Sequence, residues 1–388
     1  MIKVLIVTTI SGFLPQFELN DVKLLQQMGC EVHYASNFVH PVYRCNEQEL
    51  EEMGIKLHRI CVEKSPFAMI KNGAAIKQLR QIIDAEGISL VHCHNPMGGV
   101  SARVAAGMSK KKPFVLYTAH GLHFYKGAPL KNKLLYYPVE RALARLTDGI
   151  ITINREDYES AGRLPLRRKG AVYRIHGVGV NGERFRPRTA LRQTKREELG
   201  IPEDAIHIVT AAELNGNKNQ AVVIRALAQL ADQKIYYSMC GKGGEEERLR
   251  KLIRRYGLEE NVRLLGYRED MEEVLQSADV FAFPSKREGL GVAAIEALLC
   301  GVPLIAADNR GTREYAIDGK NALVCRADHP EEFADAIRKM TDADFRNKMA
   351  ERCRTSAMPF TICSVEEKMR KIYTDVLKQI RDDTYRSE

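Results

Sequence analysis

The stretch DVFAFPSKREGLGVAAIEALLCGVPLIAAD, Asp279–Asp308, contains one complete unit of the fold. Its opening, DVFAFPS, is a short apolar run suited to a buried strand. GVAAIEALLCG has helical length and composition and closes on Gly301, followed by Val302-Pro303, a normal stop signal. VPLIAAD is strand-like again. A strand, helix, strand succession of this size is a βαβ unit, and such units build parallel sheets. Gly289-Leu290-Gly291 then falls at the turn from strand to helix, with Glu288 before it and Glu296 inside the helix.

The same alternation runs outward in both directions. Towards the N-terminus the runs are KVLIVTT, EVHYAS, IKLHRI, LVHCH, FVLYTAH, GIITIN and AVYRIHG; around the opening stretch they are IHIVTAAEL, KIYYSMCG, VRLLGY, DVFAFPS, VPLIAAD and NALVC. Between the two sets lies NGERFRPRTALRQTKREELGIPED, polar, basic and carrying two prolines, which places a domain boundary at about residue 187. The expected class is α/β, with two Rossmann-like domains facing across a cleft and ligands at the carboxyl ends of the strands. Near the C-terminus, SVEEKMRKIYTDVLKQIRDD spaces Val365, Met369, Ile372, Tyr373, Val376 and Leu377 along one helical face, which needs a surface to cover it.

At 388 residues the chain exceeds one ordinary core, in keeping with two domains. The net charge of +9 admits an anionic membrane, a phosphorylated ligand or nucleic acid, and no nucleic-acid motif is present. Nine scattered cysteines without a CxxC pair point away from a disulfide framework or a zinc site and towards a reducing cytoplasm. The opening MIKVLIVTTISGF lacks a small-residue cleavage site and meets polar residues too early to span a bilayer.

The start of a helix offers unpaired amides and a positive dipole end, so a phosphate fits at Gly289, Leu290 and Gly291. Glu288 there is either a helix cap or a ligand-binding carboxylate. Glu296, inside a small apolar run, needs a donor partner, from the protein or from ligand hydroxyls. Lys218 in AAELNGNKNQ is a point charge suited to a diphosphate, or a solvated loop lysine. Gly241, Gly243 and Gly244 in SMCGKGGEEE permit close approach without completing a dinucleotide fingerprint. His92 and His94 in HCH read as one packed and one exposed histidine, and Asp342–Asp344, DAD, as a helix start.

Taken together, EGLGVAAIE, the following ALLCGVPLIAADNRGTREYAIDGKNALV, the upstream KNQAVVIRALAQL and the first-domain TAHGLHFYKGAPLKNKLLYYPVERALARLTDG resemble the retaining glycosyltransferase family 4, of GT-B fold, in its exopolysaccharide and capsule branch. The resemblance implies an acceptor-binding domain, 1–187 with a returning C-terminal helix at about 364–385, and a nucleotide-sugar-binding domain, 188–363. It implies that Glu296 binds the ribose of a UDP-sugar, and that Glu288 with Gly289, Leu290 and Gly291 holds sugar hydroxyls and phosphate. Lys218, beside Asn217, would neutralise the diphosphate. Tyr267 and Arg268 would line the base pocket, Gly241 would lie by the nucleotide, and His120 would face the donor sugar. No metal or other cofactor is expected.

Three departures stand out: Glu213 where relatives often carry arginine, a single glycine in TTISGFLPQF, and HGVGVN in place of the more usual asparagine-glycine-valine-aspartate. Lys126, Lys131 and Lys133, interleaved with Leu134, Leu135, Tyr136 and Tyr137, form either a surface for anionic lipid and a lipid-linked acceptor or a buried helix face. The expected activity is transfer of a hexose or N-acetylhexosamine from a UDP-sugar to a polyprenyl-diphosphate-linked saccharide, on the inner face of the plasma membrane. The alternatives are a UDP-sugar epimerase of the same fold and a non-catalytic nucleotide-sugar scaffold.

Overall fold

The computed structural model describes residues 1–39, 42–230 and 234–385. Among these residues thirteen strands form two sheets in which every pairing is parallel. The first sheet contains β1 Lys3–Val7, β2 Glu31–Ser36, β3 Lys56–Arg59, β4 Leu90–His94, β5 Phe114–Ala119, β6 Gly149–Thr152 and β7 Ala171–Arg174. The second contains β8 Ile206–Ala211, β9 Ile235–Cys240, β10 Val262–Gly266, β11 Val280–Phe283, β12 Leu304–Ala307 and β13 Ala322–Cys325. Each of the thirteen apolar runs is a strand.

The strand orders are β3-β2-β1-β4-β5-β6-β7 and β10-β9-β8-β11-β12-β13. Both are doubly wound. The order reverses between β1 and β4 in the first and between β8 and β11 in the second, and the crevice at such a switch point is where open parallel sheets bind ligands. Two compact units follow: Met1–Val178 with the segment from Cys363 onward, and Gly179–Ile362.

Unit 1 keeps its core between the sheet and flanking helices, with Leu5, Val7, Val91, Cys93 and Val115 from the strands and Leu79, Ile83, Ala102 and Ala106 from helices. The helix Ile362–Tyr385 completes it. All six of its predicted inward residues, Val365, Met369, Ile372, Tyr373, Val376 and Leu377, are buried. Burying each fully is worth about 1.5–3 kcal/mol, so the last helix is a structural member of unit 1. Unit 2 packs Ile208, Tyr237, Met239, Val280 and Ile305 against Val222, Val223, Phe333 and Ile337.

Candidate active site

In unit 2 the loops leaving β8 and β11, on either side of the switch point, carry the candidate residues. The β8 loop is shaped by Asn215, whose Oδ1 accepts from the amides of Asn217 and Lys218 at 3.0 Å each. It is tied to the β11 loop by Asn217 Nδ2 donating to the Arg287 carbonyl at 3.0 Å and by the Lys286 amide donating to the Asn217 carbonyl at 2.8 Å. These ties set Lys218 Nζ 2.6 Å from Glu288 Oε1. Lys218 also lies over the Phe283 ring at 5.9 Å. Glu288 is therefore not a helix cap: the cap position is Gly291, with no side-chain cap, because the carboxylate turns to the lysine.

Gly291 has φ +99°, and a Cβ there would come within 2.7 Å of the Phe283 ring and 2.6 Å of Tyr315 Oη. Only glycine fits. The helix Val292–Leu299 starts immediately after it, and among the described residues no acceptor takes the amides of Gly291, Val292 or Ala293. Amides and dipole at this end favour an anion. Gly311 closes the turn from the other side, where a Cβ would meet Glu288 Cβ and the Leu290 carbonyl, each at 2.8 Å. The Tyr315 hydroxyl is buried here and, among the described residues, has no hydrogen-bond partner.

Glu296 lies on the same helix, half-buried, and its carboxylate makes no hydrogen bond within the protein among the described residues. A structural hydrogen bond thus does not account for it. Burial pushes its carboxyl up to about 7 against the opposing charge of Arg184, with Glu272 adding to the rise. Arg184 is itself held by Glu272 at 2.8 Å and the Glu269 carbonyl at 2.8 Å.

The remaining candidates are held in different ways. Tyr267 is 70% exposed. The Arg268 guanidinium is engaged by Asp270 at 2.6 and 2.8 Å and by Glu198 at 2.7 Å. Gly241 has φ +147°, and a Cβ would overlap the Ala212 carbonyl, so close packing of the β8 and β9 loops suffices to require it. Glu213 is exposed and, among the described residues, pairs with neither Lys242 nor Arg287. Asp342 caps the helix Ala343–Ala357 by accepting from the Phe345 amide at 3.1 Å, as a helix start should.

His120 follows β5 in unit 1, at the carboxyl edge beside the other switch point. Around it are residues that sequence reasoning missed. Glu18 ends a π-helical turn, Leu14–Glu18, a local form frequent at functional sites. Its Oε1 lies 3.4 Å from His94 Nδ1 and 3.5 Å from His120 Nε2, and those two nitrogens are 3.3 Å apart. The expectation of one exposed histidine in HCH is corrected: His92 and His94 are both buried. Residues two apart on a strand share a face, and here that face is covered by the Leu14–Glu18 turn and by Tyr373 of the last helix. His92 hydrogen-bonds Tyr373 at 2.9 Å and Thr118 at 2.8 Å, and Tyr373 donates to Asp21 at 3.0 Å. The signal that would have found Glu18 is the one that found Glu296, a carboxylate within an apolar stretch, FLPQFEL.

The two doubly wound sheets define a class, and comparison with known proteins agrees: this chain belongs to the GT-B glycosyltransferases. Residues 4–154 match the family described as glycosyl transferase 4-like, and residues 192–357 match the glycosyl transferases group 1. A putative glycosyltransferase EpsD from Bacillus subtilis is 39% identical over 377 residues, 96% of each chain. An Escherichia coli UDP-Gal:alpha-D-GlcNAc-diphosphoundecaprenol alpha-1,3-galactosyltransferase is 25% identical over 317 residues, 80% of this chain and 81% of that one. Among solved structures, Anabaena HepE in complex with UDP and glucose superposes with a TM-score of 0.78 at 18% identity, covering 97% of this chain and 100% of the other. That likeness speaks to the fold alone.

Proposed function

We propose that this glycosyltransferase moves a hexose or N-acetylhexosamine from a UDP-sugar to a polyprenyl-diphosphate-linked saccharide during assembly of a surface polysaccharide. The observation that carries the reading is the Lys218–Glu288 pair beside the unpaired amides of Gly291, Val292 and Ala293. Breaking a sugar–phosphate bond leaves negative charge on the diphosphate and positive charge on the sugar. Lys218 and the helix start suit the first. Glu288 suits the second, and His120 is assigned to the donor sugar. Glu296, without a hydrogen-bond partner among the described residues, is assigned to the ribose hydroxyls, with Asn217 and Gly289 at the diphosphate and Tyr267, Arg268 and Gly241 around the nucleotide. The anomeric configuration is retained on this reading, and no metal takes part.

The nucleotide is argued from the HepE complex and the lipid-linked acceptor from the Escherichia coli relative, each proposed for this chain by likeness. EpsD supports the exopolysaccharide setting in the same way. For the membrane, the helix Leu130–Ala144 is relevant: it is anchored inward by Glu140, which pairs with the buried Arg103, and by Leu143. Its outer side leaves Leu134 70% and Leu135 60% exposed, next to the exposed Lys126, Lys131 and Lys133. Apolar residues flanked by lysines suit an anionic lipid surface at the cytoplasmic face. No helix among the described residues is long and apolar enough to cross a membrane.

The test is a thermal-shift screen of UDP-, GDP- and ADP-sugars followed by turnover with polyprenyl-diphosphate-linked N-acetylglucosamine. Stabilisation by UDP-sugars alone and transfer to the lipid are expected. Conversion of the sugar without acceptor would replace the reading with an epimerase.

A further inference from the structure

A cavity of about 610 Å³ opens in unit 1, at the β6–β7 edge of the first sheet and away from its switch point. Three elements wall it. The helix Arg155–Ala161, which follows β6, supplies Arg155, Tyr158 and Glu159. The end of β7 supplies Tyr173 and Arg174, with His176 just beyond, and the last helix supplies Lys368. All of these belong to unit 1. Small-molecule sites run to roughly 300–1,000 Å³, and the carboxyl end of the strands is the side on which parallel sheets take ligands.

The lining is basic. Glu159 is the one carboxylate among the lining residues, and Arg155 holds it at 2.9 Å. Lys368 Nζ donates to His176 Nδ1 at 2.8 Å. An ammonium only donates, so that nitrogen accepts and the proton of neutral His176 sits on Nε2. Burial first, and then the like charge of Arg174, pulls the Lys368 ammonium below the ordinary lysine range. Two cations thus share a confined wall at a cost in free energy that a bound anion would relieve.

The cavity also adjoins the lysine-flanked leucines of this unit. The Lys126 amide donates to Glu156, the residue after Arg155, and the Leu122 amide donates to Asp157 at 3.1 Å. The loop that launches the helix Leu130–Ala144, with its exposed Leu134 and Leu135, is therefore tied to the start of the helix that walls the cavity.

We infer that this cavity binds the diphosphate of the lipid-linked acceptor, the polyprenyl chain leaving past Leu134 and Leu135 into the bilayer. The inference rests on the transferase reading above and adds to it a subsite for the acceptor's charged group. A diphosphate esterified at both ends carries two negative charges, and the arginines and lysine of the lining outnumber its carboxylate by two. Arg155 and Arg174 offer guanidinium forks to phosphate oxygens, and Lys368 offers a point charge. Tyr158 and Tyr173 add phenol donors. The helix start at Gly291 belongs to unit 2, so on this reading each unit holds one diphosphate.

The test uses the full chain and phosphatidylcholine vesicles, with or without polyprenyl-diphosphate-linked N-acetylglucosamine, read by co-sedimentation in the absence of donor. Wild type should sediment with the doped vesicles, and inorganic pyrophosphate should compete it off. Arg174→Gln and Lys368→Gln should each weaken that binding about 10-fold, the worth of one charged hydrogen bond. Each should raise the acceptor KM by the same factor and leave kcat and UDP affinity unchanged. Both should keep the wild-type Tm and the wild-type binding to phosphatidylglycerol vesicles, on which the helix Leu130–Ala144 acts. Wild-type affinity of both variants for doped vesicles would overturn the assignment. So would weakened pyrophosphate binding in calorimetry with an unchanged acceptor KM, which would make the cavity a site for a free diphosphate. A wild-type enzyme that binds doped vesicles but transfers no sugar would leave the subsite standing and count against the transferase reading.

Discussion

Glu296 is an ionisable group in a helix whose neighbours Ala294, Ile295, Ala297 and Leu298 are all buried. Its carboxyl is raised to about 7 in the folded chain, so between its ordinary value and 7 the folded state holds a proton that the unfolded chain lacks. Its contribution to stability is therefore present below the ordinary value and is lost as pH rises through 7. Glu296→Gln should stabilise the ligand-free protein above pH 7 by on the order of 2 kcal/mol and change little at pH 5, as read by urea denaturation. Glu296→Ala should abolish UDP-sugar binding in calorimetry; unchanged affinity would remove the ribose assignment. This residue was legible in the sequence because a charge in an apolar helical run is conspicuous. Glu18 carries the same signal in FLPQFEL, but its grouping with His94 and His120 was not legible, because those residues come from distant strand ends that only the sheet brings together.

At the scale of elements, the helix Val292–Leu299 depends on the turn that launches it. Gly291→Ala would place a methyl group against Phe283 and Tyr315 at a positive φ, costing about 2 kcal/mol and displacing the amides at the helix start. Thermal denaturation should show the loss, and donor affinity should fall with it. Gly216, with open space around its Cβ position, is the control: Gly216→Ala should do neither. The helix Leu130–Ala144 poses the opposite question, since its apolar residues point outward. Replacing Leu134 and Leu135 with glutamate should reduce co-sedimentation with phosphatidylglycerol vesicles without lowering Tm, because neither side chain is in the core. Sequence spacing left the fate of that face open; only packing, through Glu140 and Leu143, decides which side of the helix is inside.

For the whole molecule, strand identity was readable because buried parallel strands are short continuous apolar runs, as in β1, β4, β5, β6, β11 and β12, and the exposed edge strand β3, KLHR, followed from its place in the alternation. What the sequence left unspecified was the burial of the polar cluster of unit 1, since His92, His94 and Tyr373 meet only after the last helix returns. Unit 2 is continuous, Gly179–Ile362, whereas unit 1 is assembled from both ends of the chain. A fragment spanning 179–362 should therefore fold alone, with cooperative thermal unfolding by circular dichroism, while 1–178 should lack a cooperative transition until a peptide covering 363–385 is added. A folded 1–178 fragment would show that the last helix is dispensable.

The discontinuity of unit 1 also sets an order of events on the ribosome. Synthesis delivers β1 well before the segment from Cys363 that will shield His92 leaves the exit tunnel, so the intervening Gly179–Ile362 can reach its native form while the earlier part still waits. Premature termination near residue 362 would release a product with one finished half and one half open to chaperones and proteases.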